Sequence, residues 1–83
     1  MDNLYKVIMR NNYDLEFRFE IKCKNEGDAK VIAIEYLVDT ENYTNPISIA
    51  SIEKIELAKE ISNNDDSVLS FELHDLITGR RLK

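Results

Sequence analysis

Few residues of this 83-residue chain have side chains that could do chemistry, and they lie far apart. The only histidine is His74 and the only cysteine is Cys23. A general base or a metal ligand needs partners close by, and the sequence near His74 offers none in a suitable spacing. Cys23 continues an apolar row, which favours a buried structural thiol over a nucleophile. We therefore expect His74 on the surface and Cys23 in the core.

The acidic residues also lack the pattern of a catalytic or metal site. Glu53, Glu56 and Glu60 could form a carboxylate pair, but no second cluster accompanies them. The run 63–66, Asn-Asn-Asp-Asp, lacks the spaced ligands, the glycine and the terminal glutamate of a calcium loop. Two glycines cannot build a phosphate-binding loop. We expect a protein that is not an enzyme and that binds no metal or cofactor.

Negative charge is concentrated in the second half of the chain. Residues 1–39 have a net charge of −2, residues 40–79 a net charge of −6, and residues 80–83 a net charge of +3. An acidic surface repels nucleic acid and favours basic protein surfaces. We predict a partner-binding acidic set that consists of Glu53, Glu56, Glu60, Asp65 and Asp66. The alternative is that these charges only keep a small protein soluble.

Size and composition place the chain in a broad class. Eighty-three residues predict one domain, 1–83. A single cysteine excludes an intrachain disulfide and favours a reducing compartment. The start lacks a basic segment followed by an apolar run, and no window is apolar enough to span a bilayer. We expect a cytoplasmic protein that binds another protein, with neither nucleic acid nor a membrane as a direct partner.

Alternating residues predict a hairpin over 1–24, with strands at 4–9 and 14–24. One face of the second strand is apolar: Leu15, Phe17, Phe19, Ile21 and Cys23. Phe17 and Phe19 resemble the aromatic pair of RNA-recognition sheets, but they share the face that a helix should cover. A loop at Arg10-Asn11-Asn12 would pair Val7 with Leu15 and place Asn12 in the left-handed conformation.

Residues 25–39 predict a helix with two apolar faces. Asn25 can cap it, and one face carries a core stripe of Ala29, Ile32, Ala33, Tyr36 and Leu37. The other face carries an outer stripe of Val31, Ile34 and Val38, flanked by Lys30 and Glu35. The many strand-forming residues make a strand the alternative. Since a helix on a sheet needs only one apolar face, we predict that the outer stripe is an interface, foremost that of a symmetric dimer. Alternatively, the loop at 40–50 or the C-terminal tail covers it.

The second half predicts another strand pair, over 47–78. Residues 47–61 fit a strand with a bulge near Ile52, although their helix propensity makes a helix the alternative. A hairpin turn at 63–66 leads to a strand containing Leu69, Phe71 and Leu73, and a turn at Thr78-Gly79 precedes a basic tail, 79–83. The expected fold is α+β, a two-layer domain with a four-stranded antiparallel sheet and one helix on one face, in the order strand-strand-helix-strand-strand.

This layout resembles the small orphan proteins of bacteriophages and mobile elements. The resemblance rests on the hairpin, on the segment Asn25-Glu26-Gly27-Asp28-Ala29 that opens the helix, and on the two later strands. Some of those proteins inhibit host defence nucleases, anti-CRISPR proteins among them. The resemblance implies an inhibitor that binds a nucleic-acid-binding defence protein in the host cytoplasm. The alternative function is a structural or assembly subunit that acts as a homo-oligomer.

Overall fold

A computed structural model describes residues 3–57 and 67–83 of the chain. The elements, in order, are β1 (Asn3–Asn11), β2 (Leu15–Cys23), α1 (Glu26–Asp39), β3 (Ile47–Leu57) and β4 (Val68–Asp75). The strands form one antiparallel sheet in the order β3-β1-β2-β4, and α1 packs on one face of it. The predicted two-layer α+β fold is confirmed. No helix in the described part of the chain is both long and apolar enough to cross a bilayer.

The central hairpin has a different register from the predicted one. Val7 pairs with Phe19 rather than with Leu15, and the three-residue turn lies at 12–14, where Asp14 has φ 59°. The predicted loop at Arg10-Asn11-Asn12 is therefore wrong. The reason is that the Asn11 side-chain oxygen accepts hydrogen bonds from the backbone N–H groups of Tyr13 (2.9 Å) and Leu15 (3.0 Å), which closes the turn later. Because the shift is an even number of residues, every side chain stays on its predicted face.

The core lies between α1 and the sheet face that carries Phe17 and Phe19. Its buried members are Tyr5, Val7, Met9, Phe17, Phe19, Ile21, Cys23, Ala29, Ala33 and Leu37. Ile32 and Tyr36 pack against this core. The Tyr36 ring lies edge-on to the Phe19 ring, with 5.7 Å between the two ring centroids. Asn25 caps the helix, because its side chain accepts a hydrogen bond from the Asp28 N–H at 2.8 Å. The predicted helix and core stripe, and the burial of Cys23, are confirmed.

The edge strands differ from the prediction in their pairing. Residues 47–57 are a strand, as predicted, while 58–61 and the predicted turn at 63–66 lie outside the described residues. The pairing of β3 with β1 is irregular at Ala50, opposite Ile8/Met9, and at Ile55, opposite Leu4/Tyr5, so the bulge predicted near Ile52 lies two residues from it. Ile49 and Ile52 pair with Met9 and Val7. The predicted second hairpin is wrong, since β3 and β4 lie at opposite edges of the sheet. The helix carries the chain across the central hairpin, and β3 then joins the free edge of β1.

The basic tail lies along β4. After a turn that ends at Gly79 (φ 74°), the Asp75 N–H donates to the Arg80 carbonyl at 2.8 Å, and the Leu82 N–H donates to the Leu73 carbonyl at 2.6 Å. The Lys83 ammonium bonds the Glu41 carboxylate at 2.6 Å, in the loop that follows α1. The tail therefore covers part of the β4 edge and connects it to the end of the helix.

Candidate functional site

The sheet face opposite α1 forms a shallow charged cleft of about 490 Å³. Its charged lining residues are Lys6, Arg18, Glu20, Glu53, Lys54 and Glu72. The sheet register brings them together, because Lys6 of β1 pairs with Glu20 of β2 on one side and with Glu53 of β3 on the other. On β4, Glu72 pairs with Arg18. Carboxylates from three strands thus share one surface with basic side chains between them.

An ion triad centred on the buried carboxylate of Glu16 lies beside the cleft. Glu16 is only 3% exposed, and its carboxylate forms salt bridges with Arg10 at 3.0 Å and with Arg18 at 2.7 Å. Burial by itself raises the pKa of this carboxyl, but the hydrogen bonds and positive charges of Arg18 and Arg10 outweigh it, and the pKa is lowered. Glu16 therefore stays ionised below the usual range of a glutamate and fixes the position of Arg18 in the cleft wall.

Glu72 is the second carboxylate with a perturbed pKa. Its pKa is lowered by a hydrogen bond from His74 at 2.8 Å, and further by the charges of Arg81, His74 and Arg18, against a smaller effect of burial. His74 lies on the polar face of β4, as predicted, but only 17% of its side chain is exposed. Its backbone forms an isolated antiparallel bridge with Arg81 of the basic tail. His74 and Arg81 thus favour the ionised form of Glu72 and hold its carboxylate among basic side chains.

The structure separates the predicted acidic set. Glu53 is exposed and lines the cleft. Glu56 pairs with Leu4 through the backbone, while Glu60, Asp65 and Asp66 lie outside the described residues. Sequence reasoning missed Glu20 and Glu72 as neighbours of Glu53, because they belong to strands distant in sequence. Their only signal was their position in the polar phase of two alternating strands.

The outer stripe of α1 is exposed on the other side of the domain. Val31, Ile34 and Val38 are 52%, 36% and 45% exposed. Within the described ranges, neither the loop at 40–50 nor the basic tail covers them. The loop instead lies beside the stripe, where the Tyr43 N–H donates to the Leu37 carbonyl at 2.8 Å, and leaves a mainly apolar groove of about 190 Å³ next to Ile34 and Val38.

The described side chains hold no group of three or more His, Cys, Asp or Glu residues that could bind a metal ion. Comparison of the chain with protein-family models, with curated proteins and with solved structures gives no significant match. The charged cleft and the outer stripe are therefore the two candidate functional surfaces among the described residues.

Proposed function

We propose that this chain is a non-enzymatic acidic protein-binding domain that inhibits a nucleic-acid-binding protein, such as a host defence protein of the kind that anti-CRISPR proteins block. The observation that carries the proposal is the convergence of Glu20, Glu53 and Glu72, from three different strands, on one shallow cleft that Lys6, Arg18 and Lys54 also line. The net charge of −6 over residues 40–79 of the sequence supports an acidic binding surface.

The shape and charge of the cleft favour a protein as the ligand. Sites for small molecules are mostly apolar and enclosed, whereas this surface is shallow and lined by six charged side chains. A basic groove that binds nucleic acid attracts carboxylates by the same field that attracts phosphates. An acidic domain seated on such a groove would exclude the nucleic acid by competition, without a chemical step.

The proposal is tested with a variant in which the three cleft carboxylates, Glu20, Glu53 and Glu72, are all changed to Gln. Wild-type and variant proteins serve as bait in a bacterial lysate, and captured proteins are identified by quantitative mass spectrometry. We expect the wild type to enrich a basic nucleic-acid-binding protein, and the variant to lose it, because three carboxylates are removed with little change in size. The captured complex should also dissociate as salt is raised, since surface charges are screened over about 10 Å at 0.1 M salt and about 3 Å at 1 M.

A matched control removes the same number of charges from the opposite side of the domain, through Glu26→Gln, Asp28→Asn and Asp39→Asn in α1. Capture should survive these changes. If the purified complex were indifferent both to salt and to the Glu20/Glu53/Glu72 substitutions, the electrostatic proposal would be refuted. Inhibition itself is measured as the loss of nucleic-acid binding by the captured protein when the domain is added.

A second candidate function, an assembly subunit that forms homo-oligomers, is favoured by the exposed outer stripe. Three aliphatic side chains on the solvent side of one helix indicate a contact surface. The bait experiment separates the two functions by the identity of the partner. An assembly subunit would associate with itself or with structural proteins of its own genome, and not with a basic nucleic-acid-binding protein.

A further inference from the structure

The exposed side of α1 has the spacing of a coiled-coil seam. Gly27, Val31, Ile34 and Val38 are separated by four, three and four residues, the alternation of core positions in a heptad repeat. We propose that this seam pairs with the same seam of a second copy of the chain, with the two α1 helices parallel. Such pairing does not depend on what the charged cleft binds.

The charges beside the seam select the second copy and its direction. Lys30 and Glu35 are exposed and flank the seam on opposite sides, at the two positions that form ion pairs between coiled-coil helices. In a parallel pair, Lys30 of each helix meets Glu35 of the other, which gives two opposite-charge contacts. In an antiparallel pair, Glu35 would lie near Asp28 of the other helix, a contact between like charges. The seam is therefore complementary to itself in the parallel direction only.

The exposed area sets the strength of the pairing. Stable interfaces bury roughly 1,200–2,000 Å² in total. Three side chains that are each about half exposed fall short of this, and α1 has only 14 residues. The adjacent groove, whose lining includes Tyr43, Asn45 and Ile47, is continuous with Ile34 and Val38 and enlarges the contact. We expect a weak dimer that forms at high protein concentration.

Charge exchange between the flanking positions tests the pairing. Lys30→Glu and Glu35→Lys each replace two opposite-charge contacts by two like-charge contacts, so each should raise the dimer dissociation constant by about fivefold to tenfold. Sedimentation velocity over a concentration series measures it. The double variant should dimerise like the wild type, and an equimolar mixture of the two single variants should form a heterodimer. The restored dimers show that the single variants lost pairing and not folding.

Cysteine cross-linking tests the direction of the helices. Val38→Cys should form a disulfide-linked dimer under mild oxidation, because parallel pairing places the two residues at position 38 side by side. The wild-type chain is the control, since its Cys23 is buried and should not cross-link. A wild type that is monomeric at all concentrations, a trimer or tetramer, single variants that dimerise unchanged, or a Val38→Cys variant that dimerises without forming the disulfide would each overturn the proposal.

Discussion

The buried carboxylate of Glu16 gives the sharpest prediction about stability. Glu16→Gln keeps the size of the side chain but removes the charge that Arg10 and Arg18 share. The Gln oxygen can accept a hydrogen bond from one arginine, while its amide nitrogen would face the other donor. The substitution therefore breaks one side of the triad and weakens the other.

The size of the effect follows from the exposure of the three partners. A hydrogen bond to a buried charged group contributes about 1.5–3 kcal/mol. Both arginines remain about half exposed, at 55% and 42%, so that water screens the pairs and rehydrates the arginines after the substitution. We expect a loss of about 1–2 kcal/mol in the free energy of unfolding at neutral pH, and a fall in Tm of about 5–15 °C for a domain of this size.

The effect should depend on pH in a defined direction. The folded-state pKa of Glu16 lies below the unfolded one, so its charge stabilises the fold above the unfolded pKa, and that contribution is lost as the pH falls through the folded pKa. Urea unfolding at neutral pH and at a series of acidic pH values should show the difference between wild type and variant shrinking with acidification. Glu20→Gln, an exposed change on the same strand, is the control and should stay within about 0.5 kcal/mol of wild type. An equal loss for both variants, or a Glu16→Gln effect that is constant with pH, would refute the ion-triad reasoning.

Two further predictions concern the turns that begin α1 and join β1 to β2. Asn25→Ala removes the cap acceptor of the Asp28 N–H and should cost about 1 kcal/mol in urea unfolding, whereas Asn25→Ser should restore most of it. Asp14 has φ 59°, so Asp14→Gly should leave the stability unchanged or slightly higher, while Asp14→Val should lower it by about 1–2 kcal/mol, as measured by thermal unfolding. Equal stability of the Gly and Val variants would contradict the left-handed conformation at position 14.

The sequence predicts on which side of the sheet a side chain lies better than it predicts which residue it pairs with on the neighbouring strand. Alternation assigns Phe17 and Phe19 to the core whatever the register, because the period of two survives any even shift. The register follows the turn, and the Asn11 side-chain oxygen accepts from N–H groups two and four residues later, so the turn lies after Asn11. Pairing between strands that are distant in sequence, such as β3 with β1, leaves no local signal at all, which is why a second hairpin was expected.

The same limit applies to the candidate site. The outer stripe could be recognised because its residues lie within one helix, where a period of 3.6 determines the face. The charged cleft could not, because Glu20, Glu53 and Glu72 meet only through the sheet order. The triad around Glu16 was also missed, since a glutamate in the polar phase of a strand is expected at the surface, and burial here depends on two arginines from neighbouring positions.

The two proposed surfaces lie on opposite sides of the sheet, and this arrangement affects how they would work together. Pairing through α1 would leave the charged cleft of each copy accessible, with the two clefts facing away from each other. A partner that carries two basic grooves, or two partners held in one assembly, would then engage both copies. Binding at the first cleft raises the effective concentration of the second, so that even a weak helix contact contributes to affinity. Salt would affect the two contributions differently, because it screens the carboxylates of the cleft and the Lys30–Glu35 contacts but strengthens or leaves unchanged the burial of Val31, Ile34 and Val38.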